Sequence, residues 1–207
     1  MGAYRCSERT RRRIFEVAQQ LFAEKGYEGT SLADIAARAE ISTGTLYRYY
    51  PAKSDFLLYV GSEMIDDMQG FLASLPEKMS CADRVLALMV HDMDKCMSRL
   101  QFGGGCESEG GLLAMQLAHR SAVYSSEGNL RRADEGSAVF ARLVEEILES
   151  AAERGEFVGG ADVHALADVM VAVFFRQFDL ALVDPEGEGS IEALGRKVRA
   201  VLSLALR

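Results

Sequence analysis

The sequence predicts an all-α protein, a short basic head of three helices followed by a larger acidic body, with about nine helices in total. Two observations carry that reading. Only three prolines punctuate 207 residues, and no stretch alternates β-branched with polar residues between turn signals, so the pattern that marks strands is missing. Apolar residues recur instead at separations of three and four, the spacing that gathers them on one side of a helix. At 49% hydrophobic and 26% charged, the composition is that of a folded globular chain rather than a disordered one. The most apolar long window, 163–183, contains Asp168, Arg176 and Asp179. A lipid-spanning helix would have to bury all three charges, so no membrane span is expected. Arg5, Arg9, Arg11, Arg12 and Arg13 are not followed by an uncharged apolar run, so no secretory signal is read and the cytoplasm is the expected compartment.

Charge divides the chain. Residues 1–53 hold nine Lys/Arg against six Asp/Glu, a net of +3, which leaves −11 of the total −8 for residues 54–207. A basic segment joined to an acidic one fits a chain of which only the short part meets a polyanion. The boundary is therefore drawn at residue 53. Cys6, Cys81, Cys96 and Cys106 form no C-x-x-C pair and have no histidine at zinc-finger spacing, so neither a disulfide scaffold nor a structural metal is expected.

The head resolves into three helices. Ile14, Ala18, Leu21 and Phe22 lie on one side of the first, with Arg12, Arg13, Glu16, Gln19 and Gln20 opposite and Gly26 as its stop. Ser31 caps the second with Asp34 three residues on, a capping box, and Leu32, Ile35, Ala36 and Ala39 form its buried stripe. Helix two ends near Glu40. Ser42 caps the third, in which Leu46 and Tyr50 face inward while Thr43, Thr45, Tyr47, Arg48 and Tyr49 have mostly outward positions.

Two short helices joined by a tight turn, the second showing hydroxyls, phenols and a guanidinium to solvent, are what a helix-turn-helix DNA reader requires. Arg48 suits a guanine edge, and threonine suits bases or a thymine methyl. Ser31, Tyr47, Tyr49 and Lys53 suit phosphate oxygens, and Gly44 lets backbone approach the groove. The same spacing also suits an ordinary three-helix cap in which Tyr47 and Tyr49 are packing residues.

The run from Ile14 through Phe22-Ala23-Glu24-Lys25-Gly26-Tyr27, then Thr30-Ser31, Ile35-Ala36, Ala39 and Gly44-Thr45-Leu46-Tyr47-Arg48-Tyr49-Tyr50 with Lys53, resembles the N-terminal domain of TetR-family transcriptional regulators over residues 9–58. The resemblance implies that Ser31, Thr43, Gly44, Thr45, Tyr47, Tyr49 and Lys53 touch DNA. Two positions depart from the family pattern. Glu40 stands where the turn usually has glycine, so it must accept a conformational cost or a modified turn. Ala52 replaces the serine that usually caps helix four, so that cap must come from elsewhere or be missing.

Beyond Ser54, helices are expected over about 54–74, 82–100, 109–120, 127–154, 162–183 and 190–206, separated at Pro76, Gly103-Gly104-Gly105, Ser125-Ser126, Gly159-Gly160 and Asp184-Pro185. The last two carry apolar stripes, Leu166, Val169, Met170, Val173, Phe174 and Gln177 on one and Ile191, Leu194, Val198, Val201, Leu202 and Ala205 on the other. These stripes pack either within the subunit or, as the resemblance implies, in a four-helix bundle between two protomers. A homodimer would reach two half-sites of a palindromic double-stranded operator spaced about 34 Å or a multiple apart.

The resemblance further implies that residues 54–207 form an effector-binding and dimerisation domain, in which a small molecule releases a repressor from its operator. Met89, Met93, Met97, Met115, Tyr124, Phe174, Phe175 and Phe178 are candidate apolar lining, and His91 or His119 a polar anchor. From these, Met93, Cys106, His119, Tyr124, Phe174 and Phe178 are the effector-site candidates. Cys106, in a glycine-cysteine turn ahead of a helix, also fits either a buried small hydrophobe or a thiol sensor of electrophiles or oxidants.

An enzyme is not expected. There is no G-x-S-x-G or H-E-x-x-H, the glycines from Gly105 onward lack the lysine and hydroxyl of a phosphate loop, and His91, His119 and His164 show no metal or triad spacing. No cofactor is implied. The other alternative is a helical module whose first three helices bind a protein instead of DNA. Salt separates the two, because phosphate binding weakens steeply with ionic strength.

Overall fold

The computed structural model describes residues 2–56, 62–101, 120, 121, 123–158 and 161–206. Among them the chain forms eight α-helices: α1 (Gly2–Gly29), α2 (Leu32–Arg38), α3 (Thr43–Tyr49), α4 (Ser62–Ser74), α5 (Cys81–Gln101), α6 (Glu127–Glu153), α7 (Val163–Val183) and α8 (Ile191–Leu202). A 3-10 turn at Lys53–Phe56 precedes α4, where a helix continuous from residue 54 was expected. The helix expected over 109–120 lies outside the described residues apart from Arg120, which is helical. No described helix is long and apolar enough to cross a membrane.

The backbone groups into two compact units, Met1–Gly61 with Cys96–Ala133 and Ser62–Lys95 with Asp134–Arg207. The core of the first gathers Ile14, Ala18, Leu21 and Phe22 from α1, Ile35, Ala36 and Ala39 around α2, Leu46 and Tyr50 from α3, and Phe56. Tyr50 and Phe56 stack at 4.0 Å, and Phe22 meets Phe56 edge-on at 6.0 Å. Each of the larger side chains contributes about 1.5–3 kcal/mol through burial, which is what holds helices as short as α2 and α3. Leu32 is half-buried at the edge of this core rather than inside it. Gly26 leaves helical geometry at φ 75°, and Thr30 Oγ1 closes the break by donating to Gly26 O at 2.8 Å and Leu21 O at 3.1 Å.

In the second unit, Phe140 of α6 stacks on Phe174 of α7 at 4.7 Å, and Leu143, Val144, Ile147 and Leu148 are buried, as are Met170, Leu194, Val198 and Leu202. Cys81, at the start of α5, is a buried free thiol pushed up to about 11, chiefly by desolvation. The final helix stops at Leu202, short of the expected 206. Beyond its Ser203 cap the chain turns so that Val158 N–H donates to Ala205 O at 2.8 Å and Leu206 bridges to Phe157.

The two expected apolar stripes are corrected by the packing. Met170, Phe174, Leu194, Val198, Leu202 and Ala205 are buried inside the subunit. Gln177 is also fully buried, and its Nε2 donates to Glu188 O at 3.0 Å and Ser190 O at 2.9 Å while its Oε1 accepts from Lys197 Nζ at 3.0 Å. This amide ties α7 to the loop ahead of α8. The large apolar groups left outward on these two helices are Val169 (44% exposed), Phe175 (47%), Val183 and Ile191, with Ala165 and Ala172 on the same side of α7 as Val169.

Candidate nucleic-acid interface

Residues 31–49 assemble the interface through two N-caps and one C-cap. Ser31 and Asp34 form the expected capping box: Asp34 N–H donates to Ser31 Oγ at 3.1 Å, and Ser31 N–H donates to Asp34 Oδ2 at 3.0 Å. The Ser31 hydroxyl also donates to Asp34 Oδ2 at 2.7 Å, so its one proton is committed within the cap. These bonds from Ser31 hold the Asp34 carboxyl below its usual value. Ser42 caps α3 by accepting from Thr45 N–H at 3.0 Å, and its hydroxyl shares a 2.9 Å bond with Thr45 Oγ1.

Between the helices, Ile41 N–H donates to Ala36 O at 3.0 Å and Glu40 N–H to Ala37 O at 3.2 Å, the paired bonds of a Schellman ending. That geometry puts Glu40 at φ 55°, and among the described residues it is the non-glycine residue with positive φ. The glutamate therefore accepts the left-handed conformation, and the turn is unmodified. The end of α6 shows the same bonds, Glu156 N–H to Ala151 O at 3.0 Å and Gly155 N–H to Ala152 O at 2.9 Å, with glycine at φ 73° in the equivalent place.

The missing serine at Ala52 is half-replaced. Asp55, buried in the 3-10 turn, accepts from Ala52 N–H at 2.8 Å, which supplies the reciprocal half of a capping box without the hydroxyl.

The outer side of α3 presents Thr43, Gly44, Tyr47 (51% exposed) and Arg48 to solvent, while Leu46 and Tyr50 point inward. Thr45 and Tyr49 are half-buried, and Tyr49 packs against the head core. Lys53 is drawn across the end of α1: its Nζ donates to Tyr27 O at 2.8 Å, lies 4.3 Å from the Tyr27 ring centroid and 3.7 Å from Glu28. Two of the three ammonium directions are thus engaged by the head itself. Tyr27 is half-buried against this cation, and desolvation pushes its phenol up to about 12.

Sequence reasoning missed the side chains that fix α1 to the reading helices. Arg13 donates to Ala39 O, the last carbonyl before the turn. Arg38 forks onto Glu24 at 2.8 and 3.0 Å, and this bond holds the Glu24 carboxyl below its usual value. Arg11 sits 5.5 Å over the Tyr50 ring, whose hydroxyl donates to Arg11 O at 3.1 Å. The signal available in the sequence was the density of arginine on a helix whose partners end in bare carbonyls. With Arg12 on Glu16 at 2.9 Å and Lys25 on Asp34 at 3.5 Å, most cations of the head have partners inside it. Among the described residues of the head, Arg9 and Arg48 have none.

Of the effector candidates, Met93 is buried on α5, and Phe174 and Phe178 are buried on α7. Tyr124 is 71% exposed, and Cys106 and His119 lie outside the described residues. His91 pairs with Asp67 at 2.8 Å and stacks on Phe71 at 4.0 Å, while Lys95 reaches the same carboxylate at 3.2 Å.

Two capped helices set by a tight turn, with a polar outer face on the second, define a helix-turn-helix head. Comparison with known proteins agrees. Residues 14–60 match the family described as "Bacterial regulatory proteins, tetR family". The HTH-type transcriptional repressor DhaR of Mycobacterium sp. (strain GP1) is 34% identical over 70 residues; the match takes in 34% of this chain and spans about a third (35%) of that relative's length. Among solved structures, Thermus thermophilus FadR is similar over 93% of each chain with a TM-score of 0.67 and 23% identity. A TetR-family regulator from Cytophaga hutchinsonii is similar over 97% of this chain and 96% of that one, with a TM-score of 0.65 and 18% identity. Residues 14–60 thus match the head of the tetR family of bacterial regulatory proteins, and over its length the chain is similar in fold to solved structures of that family.

Proposed function

We propose that this chain is a cytoplasmic transcriptional repressor that grips a palindromic operator as a homodimer and releases it when a small molecule occupies its body. Residues 1–53 are the DNA-binding domain and 54–207 the effector-binding and dimerisation domain. The observation that carries the reading is the outer side of α3, where Thr43, Gly44, Tyr47 and the unpartnered Arg48 stand exposed together. A guanidinium with all its donors free suits a guanine edge, and Thr43 and Tyr47 flank it for bases or phosphate. Ser31, Thr45, Tyr49 and Lys53 complete the surface. Their partial engagement in caps and core positions them for phosphate, which needs rigidity more than reach.

The dimer joins through the outward side of α7, where Val169 and Phe175 are exposed with Ala165 and Ala172 between apolar neighbours. The DNA-bound and effector-bound arrangements then differ in half-site spacing. An effector that prefers the second by about 1–3 kcal/mol lowers operator affinity by roughly 5- to 150-fold. Buried Met93, Phe174 and Phe178 support an apolar ligand, with Tyr124, Cys106 and His119 as the remaining candidates. FadR, similar in fold, was solved with lauroyl-CoA.

The test is selection of duplexes from a randomised pool, followed by competition with Arg48→Ala. The variant is expected to lose about 1–3 kcal/mol of discrimination at one base position in each half-site. Unchanged base preference would remove Arg48 from the reading surface, and no retention of any duplex at low salt would end the DNA-binding reading.

A further inference from the structure

The outward side of α7 carries a pattern that a merely apolar seam does not need. Counted from the exposed Ala172, Val169 lies three residues before and Phe175 three residues after, each close to half exposed. One step further out, Asp168 stands four residues before and Arg176 four after, both in solvent. Offsets of three and four stay on one helical face, so all five groups share a side of α7. The ladder is symmetric in its apolar groups and antisymmetric in its charges.

Neither charge is used inside the subunit. Among the described residues, Asp168 and Arg176 make no hydrogen bond or ion pair; Asp168 acts as a nearby charge on His164, which is itself bonded to Glu145. Asp179, the next acid along the face, has an interaction of its own.

A second copy can meet this face about a two-fold axis in two ways. An axis parallel to the helix sets each residue against its own copy, so Asp168 meets the partner's Asp168 and Arg176 meets the partner's Arg176. An axis perpendicular to the helix at Ala172 reverses the order, and a residue before Ala172 faces the one equally far after it in the other chain. Asp168 then stands level with the partner's Arg176, twice by symmetry, and Val169 level with the partner's Phe175. At the crossing point only methyl groups intervene, so the two backbones approach closely.

We infer that two copies of this chain pair antiparallel through α7 with Ala172 on the two-fold axis, held in register by reciprocal ion pairs between Asp168 and the partner's Arg176. This rests on the dimer reading above and adds the orientation and register to it. The apolar groups supply the attraction. The charges select the partner, because parallel pairing, or a chain with another charge order, brings like charges together.

The experiment uses the full chain and its Asp168→Arg, Arg176→Asp and doubly reversed variants, with dimer dissociation constants read by sedimentation velocity over a dilution series. Each single reversal puts two like-charge contacts in place of two ion pairs and is expected to weaken the homodimer about 10- to 100-fold. An equimolar mixture of the two single variants, one of them fluorescently labelled, restores opposite charges at both contacts, as does the double reversal in one chain. Both are expected to return close to wild-type affinity, a rescue that mixing misfolded chains does not give. Single variants as dimeric as the wild type, or a mixture no tighter than its components, overturn the register while leaving a dimer standing. Ala172→Cys is expected to form an interchain disulfide under mild oxidation, above the wild-type background, and Ala165→Cys is not, its two copies lying about 21 Å apart along the axis. Cross-linking through Ala165→Cys overturns the antiparallel order. A wild type that stays monomeric at the highest concentration overturns the dimer reading and the register with it.

Discussion

Replacing Glu40 with glycine should make the protein more stable, although it removes a side chain and adds none. The turn between α2 and α3 holds this residue at φ 55° by the bonds from Glu40 and Ile41 to Ala37 and Ala36. A left-handed conformation costs an L-residue about 1–2 kcal/mol, because Cβ crowds the following carbonyl. Glycine has no such clash but loses more freedom on folding, about 0.5–1 kcal/mol. The difference is a net gain of about 0.5–1 kcal/mol, or roughly 1–4 °C in Tm for a chain of this size. Gly155 provides the internal precedent, with the same pair of bonds and φ 73°. Urea and thermal unfolding followed by far-UV circular dichroism measure the change, with equal urea slopes required before midpoints are compared. Glu40→Ala is the control: it removes the same carboxylate and keeps Cβ, so its stability should stay near that of the parent. If Glu40→Gly is no more stable than Glu40→Ala, left-handed strain at this turn is not what limits the head.

Two further outcomes follow from side chains in the body. Gln177→Leu preserves volume but strands the Glu188 and Ser190 carbonyls and removes a partner of Lys197, and the expected loss is about 2–3 kcal/mol in urea unfolding; a variant as stable as the parent would show that water replaces the amide without cost. His164 on α7 is bonded to Glu145, and that bond with the charges of Glu145 and Asp168 raises its pKa. A raised folded value means that the pair's contribution is complete below the unfolded value of about 6.5 and fades as pH climbs through the folded one. The imidazole midpoint, read by NMR, should lie above 6.5 and fall in Glu145→Gln; a native midpoint at or below 6.5 would contradict the pairing.

Much of the head could be read from residue order because its determinants are short-range. Ser31 with Asp34, and Ser42 with the N–H of Thr45, act across three residues, so the starts of α2 and α3 are visible in the string itself. Glu40 was marked for strain by the resemblance alone, because it stands where the family's turn usually has glycine. The roles of Lys53 and Arg13 were not accessible in this way. Each meets a backbone carbonyl 26 residues away, Tyr27 O and Ala39 O, and no local spacing records such a meeting.

The long helices of the body mark the same division. Their existence follows from apolar periodicity, and the caps found at Asp162 and Ser190 act across three residues, but the end of the last helix, at Leu202 and not 206, did not follow from it. Nor does their orientation. α7 is apolar nearly all round, so periodicity nominates a preferred stripe without saying what covers it. Packing against α6 and α8 settled the matter, taking Met170, Phe174 and Gln177 inward and leaving Val169 and Phe175 outside. Burial is a competition among all the surfaces of a folded chain, and its result exists only once the helices have met.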